Sequence, residues 1–257
     1  MLKGLSDKVV LVTGAGGNIG AATVRRLVAE GARVVAADIS QAAVDGLSAG
    51  SDQVVGVAAD VTGAAGARAC VAAAVSSFGR LDAAFVNAGV ECIASPVLRF
   101  NEADYEHVFG VNVKGAFLTA QAALEHFTEA GRPGSVLFTA SIAGLQGSPM
   151  TSIYNASKHA VIGLAKSLAL EVGGQGVRVN ILCPGAVDSR MMRSLEDSIG
   201  SASGASAGDI KAGIEAATAF GRYASPDEIA ATACWILSDE VPYAHGETFT
   251  VGGGMMA

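Results

Sequence analysis

The sequence contains few charged residues, few aromatic residues and little cysteine. Charged residues occupy 16% of the 257 positions, aromatic residues occupy 5%, and there are four cysteines. The cysteines lie far apart with no CxxC pair, so we expect reduced, buried thiols rather than a disulfide framework. The four histidines are never three or four residues apart, so the sequence predicts no metal site. The cysteines are Cys70, Cys92, Cys183 and Cys234.

Basic residues are also sparse, and long apolar runs are missing. The net charge of −7 would repel the phosphate backbone of a nucleic acid. No polybasic block is present to bind an anionic membrane, and no apolar stretch reaches the ~18–20 residues of a spanning helix. The short apolar run near the N-terminus leads directly into a glycine turn, unlike a signal peptide. We therefore expect a cytoplasmic protein with neither nucleic-acid nor membrane partners.

Short β-branched runs alternate with alanine-rich segments of helical period. The predicted strands are apolar throughout, which is typical of parallel sheets covered on both faces. Seven strands with intervening helices predict an α/β fold: one doubly wound parallel sheet of the Rossmann type, in a single domain over residues 1–257. The predicted strands are 8–12, 33–38, 53–60, 81–89, 135–141, 177–185 and 247–253; the predicted helices are 21–30, 40–47, 62–78, 104–130, 152–172 and 226–237.

Residues 194–213 interrupt this alternation. The segment is rich in serine, glycine and alanine, and it lies between the sixth predicted strand and the last predicted helix. We predict a long loop there. It is either a tolerated surface insertion or part of a mobile substrate lid at about 189–222, because long loops at strand ends often cover a pocket.

The glycine-rich stretch TGAGGNIG at 13–20 follows a predicted strand and opens a predicted helix. Unpaired N–H groups and the positive dipole at a helix N-terminus favour a diphosphate, and glycine lets the backbone approach it closely. Asp38 ends the next strand, where a carboxylate can accept hydrogen bonds from both adenosine ribose hydroxyls and repel a 2′-phosphate. The pattern favours NAD over NADP. Alternatively, Asp38 only caps the helix at Ser40.

Tyr154 and Lys158 are four residues apart on a predicted helix and therefore share a face. A buried ammonium beside a phenol favours the phenolate, so we expect the pKa of Tyr154 to fall below its usual value of about 10. Such a tyrosine can exchange a proton with an alcohol near neutral pH. Ser141, at the end of the fifth predicted strand, lies 13 residues before Tyr154.

Together these motifs resemble the short-chain dehydrogenase/reductase family along nearly the whole chain. TGAGGNIG resembles the family's TGxxxGxG turn, with Asn18 replacing the middle glycine, and NAG at 87–89 matches the family's NAG. PGAVDS at 184–189 resembles PGxVxT, with serine replacing threonine. The four positions that match the family's catalytic residues are Asn112, Ser141, Tyr154 and Lys158.

The resemblance implies a role for each of these four residues. Tyr154 would be the general acid/base, and Lys158 would hold the nicotinamide ribose and tune Tyr154. Ser141 would hydrogen-bond the substrate oxygen. Asn112 would position a water that links Lys158 to solvent.

The resemblance also implies the cofactor contacts. We expect Asn18 to adopt the left-handed backbone that glycine reaches freely, and its amide to donate to the diphosphate. Asp60 and Val61 would flank the adenine. The full predicted set is Gly14, Gly17, Asn18, Ile19, Gly20, Asp38, Ile39, Asp60, Val61, Asn87, Ala88, Gly89, Tyr154, Lys158, Pro184, Gly185, Val187 and Ser189.

The predicted substrate pocket is mostly apolar or small, which favours a neutral, fairly apolar secondary alcohol or its ketone. Glu91 could hydrogen-bond a polyol. Arg190 and Arg193 would either clamp a carboxylate or lie in solvent. The predicted pocket residues are Ser141, Ala143, Met150, Tyr154, Glu91, Met191 and Met192.

We therefore expect an NAD-dependent oxidoreductase that interconverts a secondary alcohol and its ketone, with Tyr154 as acid/base. Two alternatives are a β-ketoacyl carrier-protein reductase and a non-catalytic NAD-binding protein on the same fold. The resemblance further implies a homotetramer, with the helices at 104–130 and 152–172 forming one interface.

Overall fold

A computed structural model describes all 257 residues and contains one seven-stranded sheet in which every strand is parallel to its neighbours. The strand order is β3-β2-β1-β4-β5-β6-β7, so the doubly wound fold predicted from the sequence is confirmed. The strands are β1 Val9–Thr13, β2 Arg33–Asp38, β3 Val54–Ala58, β4 Ala83–Val86, β5 Gly134–Thr139, β6 Val177–Pro184 and β7 Thr248–Val251.

Nine α-helices connect and cover these strands. The predicted helices occur with bounds shifted by a few residues, except that the helix predicted over 104–130 is divided into two. No helix has the length and apolar character required to cross a bilayer. The helices are α1 Asn18–Ala29, α2 Gln41–Ser48, α3 Ala64–Phe78, α4 Glu102–Phe109, α5 Ala116–Ala130, α6 Ser152–Val172, α7 Arg190–Ser203, α8 Ala207–Ala216 and α9 Pro226–Leu237.

The sheet is buried on both faces because successive side chains of a strand point to opposite sides. Val9 and Leu11 pack into a core shared with α3, α5 and α6. Val10 and Val12, on the same strand, pack into a second core shared with α1 and α9. This arrangement explains why Val9–Val12 of β1 are apolar without alternation.

The predicted helix 104–130 is interrupted. A π-helical turn at Gly110–Gly115 separates α4 from α5 and contains Asn112. Such turns insert an extra residue into a helix and often occur at functional sites. Hydrophobic periodicity cannot distinguish a π-turn from a continuous helix, so the sequence did not reveal it.

The prediction of a long loop at 194–213 is wrong, because the segment forms most of α7 and α8. Met191, Leu195 and Ile199 recur every four residues and give α7 an apolar side, a signal that the small-residue composition obscured. Ser206 and Asp209 form a capping box that begins α8.

Thr13 joins the carboxyl ends of two central strands. Its hydroxyl oxygen accepts hydrogen bonds from the backbone N–H groups of Asn87 and Ala88, at 3.1 and 3.2 Å, just beyond β4. Thr13 itself is fully buried at the end of β1. The contact therefore fixes the glycine turn relative to the next strand, at the position where the strand order reverses.

We predict that Thr13→Val destabilises the fold by about 1–3 kcal/mol, because two N–H groups lose their acceptor with little change in side-chain volume. The midpoint of urea unfolding should fall accordingly. Thr13→Ser keeps the hydroxyl and is the matched control. Equal midpoints for the valine and serine variants would contradict this role.

Candidate active site

The glycine turn has the geometry of an anion cradle. Gly14 has a φ of +63°, and a Cβ at this position would lie 2.8 Å from the Cα of Ala88. A Cβ on Gly20 would collide with the carbonyl oxygen of Gly14. The N–H groups of Asn18, Ile19 and Gly20 have no acceptor in the protein. Unpaired donors at the start of a twelve-residue helix fit the diphosphate of a dinucleotide.

Asn18 does not adopt the left-handed conformation that we expected. It is the first residue of α1, and Asp7 and Met150 are the only non-glycine residues with a positive φ. The left-handed position in the turn is Gly14, so position 18 needs a residue that can begin a helix. The side chain of Asn18 is exposed, and its Oδ1 accepts a hydrogen bond from the N–H of Arg190 at 3.0 Å.

Asp38 lies at the end of β2, beside the glycine turn. Its Oδ2 accepts a hydrogen bond from the N–H of Gly16 at 2.8 Å, and its Oδ1 accepts one from the N–H of Ser40 at 3.0 Å. Ser40, not Asp38, caps α2 with its side chain. Each carboxylate oxygen keeps a free lone pair at the rim of the turn, which fits the recognition of a ribose diol. The neighbouring Ile39 is 75% exposed.

Asn87 directly follows β4 and lies beside the glycine turn. Its Nδ2 donates to the carbonyl oxygens of Thr13 and Gly14, at 3.1 and 3.3 Å, and its Oδ1 accepts from the hydroxyl of Thr139 at 3.1 Å. Gly89 lies against the centre of the site, since a Cβ there would be 3.2 Å from Asn112 Oδ1 and 3.3 Å from Lys158 Nζ. Any side chain at position 89 would crowd both groups.

Asp60 and Val61 follow β3 at the same edge of the sheet. Thr62 donates hydrogen bonds from its N–H and hydroxyl to Asp60 Oδ1, and these bonds lower the pKa of Asp60. Val61 is buried, and its side chain packs close to Gly115 of the π-turn.

The loop after β5 and helix α6 bring Ser141, Tyr154 and Lys158 together. Ser141 lies two residues beyond β5, not within it, and its Oγ accepts from the N–H of Ala143 at 3.1 Å. Lys158 is 4% exposed, and its Nζ donates to the carbonyl of Thr139 at 3.1 Å. The same ammonium lies 5.6 Å from the centre of the Tyr154 ring. The sequence-predicted pairing of Tyr154 and Lys158 is therefore present.

Asn112 connects the π-turn to this group. Its Nδ2 donates to the hydroxyl of Ser157 at 3.1 Å, and that hydroxyl donates to the carbonyl of Tyr154 at 2.7 Å. It also exchanges two hydrogen bonds with the backbone of Val90, at 2.8 and 3.0 Å. Asn112 is 1% exposed, and its hydrogen bonds connect the loop after β4 to α6.

The expected fall in the pKa of Tyr154 is contradicted. Burial raises the pKa of Tyr154 to about 12, and the hydroxyl of Ser141 only partly opposes this rise. Burial also lowers the pKa of Lys158 to about 8. Removal from water disfavours the charged form of each group, and it is the largest cause of both shifts. Tyr154 is therefore a neutral phenol near pH 7.

The PGAVDS segment follows β6 and closes the far side of the cleft. A Cβ on Gly185 would lie 2.8 Å from the Cα of Gly252, so the two backbones touch beside β7. Pro184 ends β6, and Val187 pairs with Ala224 in an isolated parallel bridge. Ser189 caps α7 by accepting from the N–H of Met192 at 3.1 Å.

The predicted pocket residues come from three loops, from α6 and from α7. Glu91 lies close enough to Tyr154 for its charge to raise the phenol pKa. Met150 holds a strained backbone with a φ of +66°, and its carbonyl accepts from the N–H of Ser95 at 2.8 Å. Ala143, Met191 and Met192 are each half-buried.

Neither arginine near the pocket forms a buried clamp. Arg193 pairs with Asp188 at 2.7 Å, and both side chains are exposed. Arg190 is exposed and has no carboxylate partner. No group of three or more histidine, cysteine, aspartate or glutamate residues has metal-ligating geometry, and all four cysteines are free and buried.

Three polar residues of the site were missed by the sequence analysis. Thr13 and Thr139 end apolar strands, and Ser157 lies between Tyr154 and Lys158. The available signal for the threonines was a hydroxyl at the last position of an otherwise apolar strand. Their hydrogen-bond partners come from distant segments, so no local pattern identifies them.

Comparison with known proteins agrees with this geometry. The sequence profile of the family described as short chain dehydrogenase matches residues 8–200. A 2,5-dichloro-2,5-cyclohexadiene-1,4-diol dehydrogenase of Sphingobium indicum is 36% identical over 258 residues, which cover 98% of each chain.

Two solved structures are similar over nearly the whole chain. The crystal structure of a levodione reductase superposes with a TM-score of 0.89 at 34% identity, covering 97% of both chains. A 3-ketoacyl-(acyl-carrier-protein) reductase from Brucella melitensis, complexed with NADH, also has a TM-score of 0.89, at 29% identity, covering 98% of this chain and 100% of that one.

We predict that Tyr154 stays protonated up to about pH 10, since its pKa is raised to about 12. The measurement is an absorbance titration at the phenolate band of the wild type minus Tyr154→Phe. The difference should be flat from pH 7 to 10. The same subtraction with Tyr243→Phe, which removes a 98% exposed tyrosine, is the control for the substitution itself. A Tyr154 signal below pH 9 would contradict the raised pKa.

Proposed function

The chain belongs to the short-chain dehydrogenase family of oxidoreductases, and we propose that it is an NAD-dependent dehydrogenase that interconverts a secondary alcohol and its ketone. The observation that carries this proposal is the arrangement of Ser141, Tyr154 and Lys158 beside the glycine turn, at one edge of the sheet. A non-catalytic role would not require a buried, unpaired ammonium next to a phenol.

The cofactor site of this family is compatible with the residues present. When bound, the dinucleotide accepts or supplies the hydride. The first N–H groups of α1 would hold its diphosphate, Asp38 its adenosine ribose, and Lys158 its nicotinamide ribose. NAD is favoured over NADP because the Asp38 carboxylate would repel a 2′-phosphate, and no cation lies within residues 37–41 to offset it.

Tyr154 would carry the proton. In the reducing direction its neutral phenol donates H⁺ to the oxygen of the ketone, while Ser141 donates a hydrogen bond to the same oxygen. In the oxidising direction the phenolate removes the hydroxyl proton of the alcohol. Because the pKa of Tyr154 is raised to about 12, the acid form predominates at neutral pH and the base form is scarce.

The proposed substrate is a neutral, fairly apolar alcohol that carries a second oxygen. The walls supplied by Ala143, Met150, Met191 and Met192 are apolar or small. Glu91, whose charge acts on Tyr154, could accept a hydrogen bond from a second hydroxyl. The Sphingobium indicum relative is named for a diol, which agrees with this proposal.

A second candidate is reduction of a 3-ketoacyl group on a carrier protein. The Brucella melitensis neighbour has that function and is complexed with NADH, so an NAD preference does not argue against it. The net charge of −7 does argue against it, because an acidic carrier would be repelled. An assay with a free diol and with an acyl-carrier substrate would separate the two.

We also propose that the chain is a single catalytic domain in which residues 189–222 cover the pocket, and that it assembles as a homotetramer. The exposed aromatic side chains Tyr105 and Phe117, on α4 and α5, would lie in one interface. Mass measurement by light scattering tests the assembly.

We predict that Tyr154→Phe lowers kcat by about 10²–10⁴-fold, because the proton loses its carrier. NADH binding should persist, and Tyr243→Phe should keep full turnover. In the wild type, alcohol oxidation should rise by up to about tenfold per pH unit between pH 6 and 8 as the phenolate fraction grows, whereas ketone reduction should stay flat. Full turnover by Tyr154→Phe would refute the assignment.

We predict that Asp38→Asn weakens NADH binding by about tenfold or more, since a charged acceptor of the ribose hydroxyls is lost. The same substitution should tighten NADPH binding, because the carboxylate no longer repels the 2′-phosphate. Fluorescence titration with each dinucleotide gives the two Kd values, and their ratio is the measurement. Asp45→Asn removes another carboxylate, on the exposed side of α2, and is the control. An unchanged ratio would show that Asp38 only supports the turn.

A further inference from the structure

Two helix N-termini meet at Asn18. This residue begins the twelve-residue α1, and Arg190 begins the fourteen-residue α7. Asn18 Oδ1 accepts the N–H of Arg190 at 3.0 Å, although the residues are 172 positions apart. The first N–H of α7, which no residue of its own helix can bind, is therefore capped by the first residue of α1.

This arrangement brings two positively charged helix ends together. Both helix N-termini carry partial positive charge, so their approach is unfavourable unless an anion lies near them. The N–H groups at the start of α1 have no acceptor, Asn18 Nδ2 donates to nothing in the protein, and the guanidinium of Arg190 has no carboxylate partner. A diphosphate at the glycine turn would offset the charge of both helices.

The other polar attachments of α7 lie farther along the helix. The hydroxyl of Ser198 accepts from the N–H of Ala94 at 3.2 Å, and the buried carboxylate of Glu196 accepts from the hydroxyl of Tyr223 at 2.8 Å. Neither contact involves the glycine turn. Asn18 is thus the side chain that connects the beginning of α7 to the cofactor site.

We propose that Asn18 is a positioning residue that couples dinucleotide binding to the docking of α7 over the pocket. This inference rests on the proposed binding of a nicotinamide dinucleotide at the glycine turn. Oδ1 holds the beginning of α7, while Nδ2, which has no acceptor in the protein, would donate to the diphosphate. A glycine, which the family pattern has at this position, could do neither.

Coupling of this kind is reciprocal. If docking of α7 tightens NADH binding by some factor, NADH must favour the docked helix by the same factor. One hydrogen bond of this type corresponds to a change of about threefold to tenfold. Loss of Asn18 should therefore reduce both effects together.

Trypsin provides a readout that does not depend on turnover. Its sites on α7 and α8 are Arg190, Arg193 and Lys211, all exposed. NADH should slow cleavage at these sites in the wild type. In Asn18→Ala, cleavage without NADH should be about threefold to tenfold faster, protection by NADH should shrink, and the fluorescence-measured Kd for NADH should rise.

Asn18→Asp separates the two halves of the side chain. It keeps an acceptor for the N–H of Arg190 but places a negative charge at the diphosphate. We expect cleavage without NADH to be no faster than in the wild type, because the carboxylate also offsets the positive helix ends, with a Kd for NADH higher than that of Asn18→Ala. Gln175→Ala removes an exposed amide that is remote in sequence from Asn18 and is the control. Its cleavage rate, its protection by NADH and its Kd for NADH should all match those of the wild type.

Two outcomes would overturn the coupling. Asn18→Ala could show wild-type cleavage and wild-type protection by NADH, which would leave the proposed function intact. Alternatively, NADH could fail to bind the wild type at all, which would remove both the coupling and the proposed function.

Discussion

The burial of an ammonium without a countercharge, next to a phenol, is the constraint on which the proposed chemistry depends. Lys158 is 4% exposed, forms no ion pair and donates to one backbone carbonyl, that of Thr139. A cation in this position is costly, and its pKa falls to about 8 as a result. The same desolvation raises the pKa of Tyr154. Desolvation therefore disfavours the ionised form of both groups.

This pair is connected to the glycine turn by a continuous series of hydrogen bonds. The side chain of Asn87 donates a hydrogen bond to the carbonyl of Gly14 and accepts one from the hydroxyl of Thr139. The carbonyl of Thr139 in turn accepts a hydrogen bond from Lys158. The series crosses β1, β4 and β5 at their carboxyl ends, where the strand order reverses. Open α/β sheets bind ligands at such switch points. The anion cradle and the proposed acid/base are thus parts of one rigid edge.

The sequence predicted the sheet well because its evidence was local. Strands whose inner positions are all apolar, such as Val9–Val12 of β1 and Val34–Ala37 of β2, require cover on both faces, and both cores are present. The errors share a physical origin. The segment 194–213 was predicted as a loop from its small residues, although Met191, Leu195 and Ile199 repeat at a helical spacing. The π-turn around Asn112 was missed because one extra residue in a helix barely alters its periodicity.

By itself the sequence determined the doubly wound sheet, the glycine turn ahead of α1, and the spacing that puts Tyr154 and Lys158 on one face of α6. Each of these follows from residues near one another in the chain. Only the tertiary structure decided the direction of the Tyr154 pKa shift and the partner of Asn18. Burial of the phenol is produced by several separate elements, and the Asn18 contact joins positions 172 residues apart. Desolvation and long-range hydrogen bonds depend on how distant segments pack, and local patterns do not contain that information.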